Sequence, residues 1–292
     1  MTPVYEALSA RLRAGRPLLL GGDAAASLRA RGVAPEEDGG VGRAVREQAD
    51  VAASHYDVEV RSGVDVVSTL TSDTTPRALA LAGMAFRSAA LTSRAVDRAI
   101  EAAERAGRPV GVAGVLVKSF ATESPDELDL HAARLVAAGA DLVLVKARGA
   151  PDDVITAARA ALATHVPVWA ALDVEDTTDL GWLAARAREL QQLGAAALLV
   201  RSASSAAIRR ALEALRGDVE APLGVLLDAG PGCREGHAEG GAEPDEWARE
   251  MVALTTLEPR LMGGGRGCTY EHTAALSRAL RRAMPSVIPP GA

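Results

Sequence analysis

Residues 131–147 read HAARLVAAGADLVLVKA, and this stretch contains the end of a helix followed directly by a strand. Apolar residues recur at helical spacing up to Gly139, and a glycine at this position is a normal helix stop. Residues 141–147 are then apolar almost without interruption. A strand that is buried on both faces has this composition, and parallel strands covered by helices are buried in this way. The stretch therefore predicts one unit of a parallel α/β fold.

The same unit recurs along the chain. Strand-like runs occupy residues 17–22, 64–70, 109–115, 141–147, 167–173, 196–202, 222–228 and 260–264. Helix-like segments occupy residues 93–107, 124–139, 151–165, 177–194, 204–217 and 271–284. A short amphipathic helix is also predicted at the N-terminus (1–17), and a further helix that contains His55 and Tyr56 is predicted before the second strand-like run. Eight evenly spaced units without a change in composition favour an α/β fold, a (β/α)8 TIM barrel in a single domain (1–284), over a doubly wound open sheet. Residues 285–292 are predicted to be a loose tail.

Composition and charge limit the partners. The chain has 292 residues, a net charge of −6 and only 3% aromatic residues, which argues against a nucleic-acid partner. No apolar segment approaches the ~18 residues of a membrane span, and the charged N-terminal segment is unlike a signal peptide. Two cysteines do not make a disulfide framework, so a cytoplasmic location is expected. The Ala-rich helices at 93–107 and 204–217 leave a homo-oligomer or a partner subunit open beside ordinary packing within the barrel.

In a barrel of this class the chemistry lies where the strands end. Carboxylates and cations occur at or just after these ends, at Asp23, Asp73, Asp173, Asp228, Lys118, Lys146, Arg201 and Arg266. The Gly-rich segment 263–267 adds backbone N–H donors and precedes a helix, an arrangement that favours an anion. The predicted ligand is a small anion, and the predicted binding residues are Asp23, Lys118, Arg201, Ser202, Gly263, Gly264, Gly265 and Arg266.

The same side chains allow other interpretations. Carboxylates and cations at strand ends can simply pair across the barrel mouth. Asp173 and Asp228 are the candidate catalytic acids or bases. Lys146 is the third catalytic candidate, because its amine could form a Schiff base with a carbonyl substrate. A salt bridge from Lys146 to Asp173 or Asp23 is the competing interpretation.

The spacing of cysteine and histidine raises the question of a metal. Cys233 and His237 are four residues apart, as are Cys268 and His272, and both pairs fall in loops that are neighbours in a barrel. A Cys2His2 zinc site is therefore conceivable. The loop at 231–247 is expected to be too mobile for a preformed site, so zinc is not predicted. His131, at a helix edge, is predicted to lie on the surface.

Four segments, in order along the chain, resemble the homocysteine S-methyltransferases, a family of zinc-dependent thiol methyltransferases that includes betaine-dependent enzymes. They are SHYDVEVRSGVDVVSTLTSDTTPRAL (54–79), RPVGVAGVLVKSF (108–120), HAARLVAAGADLVLVKA (131–147) and MGGGRGCTYEHTAAL (262–276). The resemblance extends from Leu18 to Arg281 and implies the same (β/α)8 barrel.

The resemblance also implies a chemistry, in which three cysteine thiolates hold zinc and a fourth position accepts the substrate thiol. This sequence departs from the family at all three thiolates. The family's Asn-Cys pair aligns with Arg201 and Ser202, and its two adjacent cysteines align with Gly265 and Arg266. Its strand-four Glu, which helps to hold the amino-acid substrate, aligns with Lys146. The resemblance therefore implies a divergent member without the family zinc site, and no cofactor is predicted.

Three functions stay open on this basis. The first is a homocysteine S-methyltransferase-like barrel that binds a small anionic or amino-acid-like ligand at the strand ends. Methyl transfer to a thiol is left open in this function, with Asp228 or Asp173 as the base. The second is a non-catalytic barrel that binds a ligand or a partner chain. The third is a different reaction that uses the amine of Lys146.

Overall fold

The computed structural model describes residues 2–33, 40–119, 122–147, 152–233 and 240–284. Its strands are β1 (Leu18–Leu20), β2 (Val66–Ser68), β3 (Gly111–Lys118), β4 (Leu142–Ala147), β5 (Val168–Asp173), β6 (Ala197–Ser202), β7 (Leu223–Leu227) and β8 (Leu261–Gly264). They are parallel and form a closed barrel in sequence order, which β1 completes by pairing with β8. Each strand overlaps a predicted apolar run, so the TIM-barrel prediction is confirmed. The tail predicted at 285–292 lies outside the described residues.

Helices surround the barrel. They are α1 (Pro3–Arg13), α2 (Ala24–Arg29), α3 (Gly40–Glu47), α4 (Ala49–Arg61), α5 (Pro76–Ala80), α6 (Ser88–Glu104), α7 (Pro125–Ala137), α8 (Asp153–Leu162), α9 (Leu180–Leu193), α10 (Ser205–Leu215), α11 (Pro244–Ala253) and α12 (Tyr270–Ala283). Side chains cap several of them: Ser124 and Glu127 form a capping box at α7. None of the described helices combines the length and the apolar character that a bilayer crossing requires.

The sequence patterns missed four of these helices. The helices α2, α3, α5 and α11 have 6, 8, 5 and 10 residues, and helical periodicity is hard to recognise over so short a length. The start of α6 was placed at residue 93, whereas the helix begins at Ser88. His131 was predicted on the surface and is 1% exposed, with its Nε2 3.1 Å from the carbonyl oxygen of Thr71. That prediction was wrong, because a carbonyl at the end of the β2 region provides a partner for an inward-facing imidazole.

Alternate residues of each strand belong to two separate apolar layers. In β5, Trp169 and Ala171 are part of the layer inside the barrel. Val168, Ala170 and Leu172 are part of the layer between the strands and the helices. All five side chains are almost inaccessible to solvent. Because both faces of each strand are buried, the strand sequences are continuous apolar runs and do not alternate between apolar and polar residues.

Helix α1 closes the barrel at the end where the strands begin. Tyr5 and Leu8 are buried against the barrel interior, and the Trp169 Nε1 donates to the Tyr5 hydroxyl at 3.3 Å. Arg11 donates to both carboxylate oxygens of Asp65 at 2.5 and 3.0 Å, which attaches α1 to the segment before β2. Because this end is filled, the accessible interior lies at the carboxyl ends of the strands.

Candidate functional site

An ion-pair cluster spans the carboxyl ends of β5, β6 and β8. Arg201 is the strand partner of Asp173 across β5 and β6. Its Nε and Nη2 donate to the two carboxylate oxygens of Asp173 at 2.7 and 2.6 Å. Arg266, in the loop after β8, donates to the same carboxylate at 2.8 Å. Asp173 therefore holds two guanidinium groups together at the barrel mouth, and its contacts are of the strong, charge-assisted kind.

Asp228 lies directly after β7 and is 3% exposed. Its Oδ1 accepts the backbone N–H of Arg266 at 2.7 Å, and its Oδ2 lies 3.6 Å from the Nη1 of the same residue. Burial raises the pKa of this carboxyl, while the Arg266 N–H and the guanidinium groups of Arg201 and Arg266 oppose the rise. The Asp228 carboxylate is consequently a stronger base than that of an exposed aspartate.

The Gly-rich loop after β8 uses its backbone donors within the protein. Gly265 donates to a carbonyl of β7 at 2.8 Å. Arg266 donates to Asp228 as described, and Gly267 donates to the Oδ2 of Asp23 at 3.1 Å. The structure thus differs from the predicted use of this loop. The donors that were expected to face a ligand anion bind one backbone carbonyl and two carboxylates of the chain instead.

Three other predicted ligand residues have contacts that hold the mouth together. The Oδ1 of Asp23 accepts two backbone N–H groups at the start of α2, at 2.9 and 3.2 Å. The hydroxyl of Ser202 accepts the backbone N–H of Ser204 at 3.0 Å. Gly263 lies inside β8, where a Cβ would meet the Cβ of Leu20. Of these three residues, Ser202 alone lines the outer cavity defined below.

The two lysines at the strand ends have different surroundings. Lys118 is 8% exposed, and its Nζ donates to the Oδ1 of Asp153 at 2.8 Å, which joins β3 to α8. Lys146 faces the same inner space as Arg201 and Arg266. Of the two predicted lysines, Lys146 is therefore the one that the fold places near Arg201 and Arg266.

Asp73, the remaining charged residue predicted at a strand end, holds a helix in place. Its carboxylate accepts a backbone N–H of α3 at 3.2 Å.

The ion-pair cluster separates two cavities, and Arg201 and Arg266 line both of them. The inner cavity has a volume of about 40 Å³, and its lining includes Asp23, Thr69, Ser72, Lys146, Gly264 and Gly265. The outer cavity has a volume of about 730 Å³, and its lining includes Asp173, Glu175, Asp176, Asp179, Trp182 and Asp228. The inner cavity has room for a few water molecules, whereas the outer one has the size of a small-molecule site.

The outer cavity contains residues that the sequence patterns did not select. Glu175, Asp176 and Asp179 belong to the segment that follows β5. Their position was a usable signal, since they come directly after the strand end at Asp173. The sequence pattern selected Asp173 at the strand end and none of the three acidic residues that follow it. The wall of the cavity extends several residues further.

The two cysteines are poor metal ligands in this fold. Cys268 is fully buried, and its thiol donates to the carbonyl oxygen of Leu227 at 3.3 Å. Burial raises the pKa of the Cys268 thiol well above its usual value, and nearby Asp228 and Asp23 reinforce the rise. Burial also raises the pKa of Cys233. Metal binding needs thiolates, and both environments favour the thiol.

Of the two histidines of the alternative zinc site, His272 lies within the described residues. Both ring nitrogens of His272 are used: Nδ1 accepts the N–H of Thr269 at 3.1 Å, and Nε2 lies 3.1 Å from the carbonyl oxygen of Ala242. His237 lies outside the described residues. Within the described part of the chain, no group of three His, Cys, Asp or Glu side chains could hold a metal ion.

Comparisons with known proteins agree with this architecture. The sequence model of a family described as Homocysteine S-methyltransferase matches residues 19–280. The metallated form of the homocysteine methyltransferase MmuM from Escherichia coli has a TM-score of 0.72 and 21% identity, and the match covers 90% of this chain and 96% of that one. The oxidised form of MmuM has a TM-score of 0.72 and 22% identity, with coverages of 90% and 95%.

A solved structure of a differently named enzyme also has a similar fold. Type I 3-dehydroquinate dehydratase from Clostridium difficile has a TM-score of 0.53 and 12% identity, and the match covers 92% of this chain and 93% of that one. At such identities the solved structures show the fold alone. No curated protein sequence matches this chain.

Proposed function

This chain belongs to the homocysteine S-methyltransferase family, and from that membership we propose that it binds a small amino-acid-like molecule in the outer cavity of the barrel mouth. We propose further that it does so without the zinc ion of the family chemistry. The observation that carries the proposal is the Arg201–Asp173–Arg266 cluster, which borders the outer cavity. The resemblance places one of its residues, Arg266, at a family cysteine position, and Arg201 directly precedes another such position, Ser202.

The residues at those positions do not fit a zinc ion. The three positions that align with the family's thiolates hold Ser202, Gly265 and Arg266. The hydroxyl of Ser202 accepts the N–H of Ser204, Gly265 has no side chain to donate, and Arg266 carries a positive charge, as does the neighbouring Arg201. A Cβ on Gly265 would moreover collide with the Oδ1 of Asp228. Zinc requires soft or borderline donors around it, and two guanidinium groups repel a divalent cation. No step of the proposed function therefore passes through a metal.

Charges of both signs line the outer cavity and favour an amino-acid-like ligand over a simple anion. Two arginines contribute positive charge, and the carboxylates of Asp173, Asp228 and the segment after β5 contribute negative charge. Arg266 is the reachable cation, because its side chain is 34% exposed and that of Arg201 is 6% exposed. A ligand carboxylate can bind Arg266 while an ammonium group lies near the acidic segment.

A second candidate function, methyl transfer to a thiol, rests on Asp228. The raised pKa of this carboxyl suits a general base that removes the proton of a ligand thiol. The resulting thiolate would attack the methyl carbon of a sulfonium or ammonium donor. The new S–C bond forms as the bond between the methyl carbon and the donor heteroatom breaks, and the electron pair stays with the donor. The proton remains on Asp228 until it passes to solvent.

The other functions have less support. A Schiff base at Lys146 would need a carbonyl substrate in the inner cavity of about 40 Å³, which is too small for one. A non-catalytic ligand-binding barrel differs from the second candidate only in the absence of turnover. The homo-oligomer, the partner subunit and the cytoplasmic location stay predictions.

Calorimetric titration with L-homocysteine, N-acetylhomocysteine and homocysteine carboxamide tests the proposal. We expect the zwitterion to bind, the two derivatives to bind less tightly, and Arg266→Gln to weaken binding of the zwitterion by about tenfold. Arg278→Gln, which alters an exposed pair with Asp245, should change nothing. Equal binding by wild type and Arg266→Gln, or none at all, would exclude the outer cavity as the site. Mass spectrometry of the thiol after incubation with a sulfonium donor then separates a methyltransferase from a binding protein.

A further inference from the structure

A cleft on the side of the barrel lies outside the mouth, between α3, α4 and α6. Its volume is about 270 Å³, near the lower end of the ~300–1,000 Å³ that ligand pockets occupy. Its floor is buried and mostly apolar, and consists of Val45, Ala52, Tyr56, Leu70 and Ala95. The cleft is therefore a small pocket with an apolar floor and an open rim.

Two opposite charges stand on the rim. Asp50 comes from the first turn of α4, and Arg94 comes from α6. Both residues are exposed, and within the described part of the chain neither makes an ion pair. A third charged residue, Arg98, is held by Glu101 at 2.6 Å. Asp50 and Arg94 thus line one cleft from its two sides without closing on each other.

A direct ion pair between α4 and the end of α6 provides a comparison. Asp57 of α4 and Arg105, which follows α6, form an ion pair at 2.7 Å. Further along the same interface Asp50 and Arg94 leave the cleft between them open. A molecule with one group of each charge can bind both residues at once, and a single carboxylate or a single ammonium group can satisfy only one of them.

The floor of the cleft contacts the backbone segment after β2, which also borders the barrel mouth. The hydroxyl of Tyr56 accepts the N–H of Leu70 at 2.8 Å, so the ring is fixed against the segment that follows β2. The preceding residue, Thr69, lines the inner cavity of the mouth. An occupant of the cleft would therefore contact one side of a segment whose other side belongs to the mouth.

We propose that this cleft is a second binding site, and that its ligand is a free amino acid with an apolar side chain. The side chain of the ligand lies on the apolar floor, where its burial favours binding. The ligand carboxylate pairs with Arg94, and the ligand ammonium pairs with Asp50. The proposal is independent of the function proposed for the mouth, because the two sites share no residue.

Methyl-labelled NMR with L-leucine as the probe tests this proposal on the whole chain. The methyl groups of Ala52, Leu70 and Ala95 report on the cleft, and that of Val174 reports on the outer cavity. N-acetylleucine lacks the ammonium group, and leucinamide lacks the carboxylate. We expect leucine to shift the cleft resonances and to bind about tenfold more tightly than either derivative.

Two exposed substitutions make the test specific. In Arg94→Gln leucine and leucinamide should bind the cleft alike, and in Asp50→Asn leucine and N-acetylleucine should bind it alike. The matched controls Arg105→Gln and Asp57→Asn alter the closed pair at the same helix interface and should leave the preferences unchanged. Shifts confined to Val174, an absence of shifts at millimolar probe, or preferences that survive both cleft substitutions would each overturn the proposal.

Discussion

The carboxylate oxygen Oδ1 of Asp228 lies in the space that a Cβ on residue 265 would fill. Gly265 and Asp228 therefore depend on each other, because the buried carboxylate has its place only while residue 265 lacks a side chain. The same oxygen accepts the N–H of Arg266, which holds the loop after β8 against the end of β7. The space beside the backbone of Gly265 is therefore filled by a carboxylate from the neighbouring strand end.

Adding a methyl group at this position should destabilise the fold. We expect Gly265→Ala to lower the free energy of unfolding by about 1–3 kcal/mol, because the methyl group displaces the Asp228 carboxylate from its hydrogen bond. Gly217→Ala is the matched control, since a Cβ there meets no atom within 4 Å. Urea denaturation of both variants gives the comparison. Equal stabilities would show that the loop can move away from Asp228 at little cost.

The bidentate contact between Asp173 and Arg201 makes a second prediction. Arg201 has a side chain only 6% exposed, so loss of its carboxylate partner leaves a buried charge poorly compensated. We expect Asp173→Asn to cost about 2 kcal/mol of stability, a figure kept modest because Asp173 is itself 39% exposed. Asp245→Asn, which breaks an exposed pair with Arg278, should cost less than about 1 kcal/mol. Denaturation in low and high salt would show whether the larger effect comes from charge.

These contacts mark the limit of what the sequence could predict. The barrel was predictable because every strand is buried on both faces, and this leaves continuous apolar runs in the sequence. The meeting of the candidate residues was predictable for a related reason, since strand ends in such barrels meet at one mouth. Asp173, Asp228, Arg201 and Arg266 were selected in this way, and the fold does bring them together.

The hydrogen-bond partners of these residues could not be predicted from their position in the sequence alone. The loop donors after β8 were expected to bind a ligand, but Asp228 and Asp23 approach them from other strands. His131 was placed on the surface because its partner, the carbonyl of Thr71, belongs to a distant segment. Side-chain pairing depends on the register and spacing of several elements, and a pattern within one element does not contain that information.

A third prediction concerns Glu59, a carboxyl that the proposed mechanisms do not use. Glu59 is 3% exposed, and its Oε2 finds no hydrogen-bond partner within the described residues. It lies against the turn after β1, where a Cβ on Gly21 would meet it at 2.7 Å. Burial raises the pKa of Glu59 to about 7. The folded protein therefore binds this proton more tightly than the unfolded chain does.

The sign of the pH dependence follows from that shift. Protonated Glu59 contributes stability that is complete below the ordinary glutamate pKa and is lost as the pH rises through about 7. Between about pH 4.5 and pH 6.5, burial of neutral His55 and His131, whose pKa values fall to about 4, works in the opposite direction. The contribution of Glu59 must therefore be measured as a difference between variants.

We compare the free energies of unfolding of Glu59→Gln and wild type at each pH. As the pH rises from about 5 to about 8, we expect this difference to shift by about 3 kcal/mol in favour of Glu59→Gln. Glu47→Gln is the control, because Glu47 is an exposed partner of Arg43. The measurement is urea denaturation of the three proteins across this pH range. A constant difference between Glu59→Gln and wild type at all pH values would mean that Glu59 has an ordinary pKa in the folded protein.

The last prediction is that the purified protein carries well below one zinc ion per chain, even after expression in zinc-supplemented medium. The positions that align with the family's ligands hold a serine, a glycine and an arginine, a second guanidinium group lies beside them at Arg201, and the two cysteines favour their thiol forms. Elemental mass spectrometry measures the metal, with the Escherichia coli homocysteine methyltransferase, known in a metallated form, as the positive control. Cys268→Ala should leave the zinc content unchanged and cost stability only through the loss of a buried sulfur atom. Stoichiometric zinc that disappears in Cys268→Ala would instead mean that a metal site has been rebuilt around the loops after β7 and β8. In that case zinc activation of the substrate thiol, rather than the Asp228 base, would have to be considered for this chain.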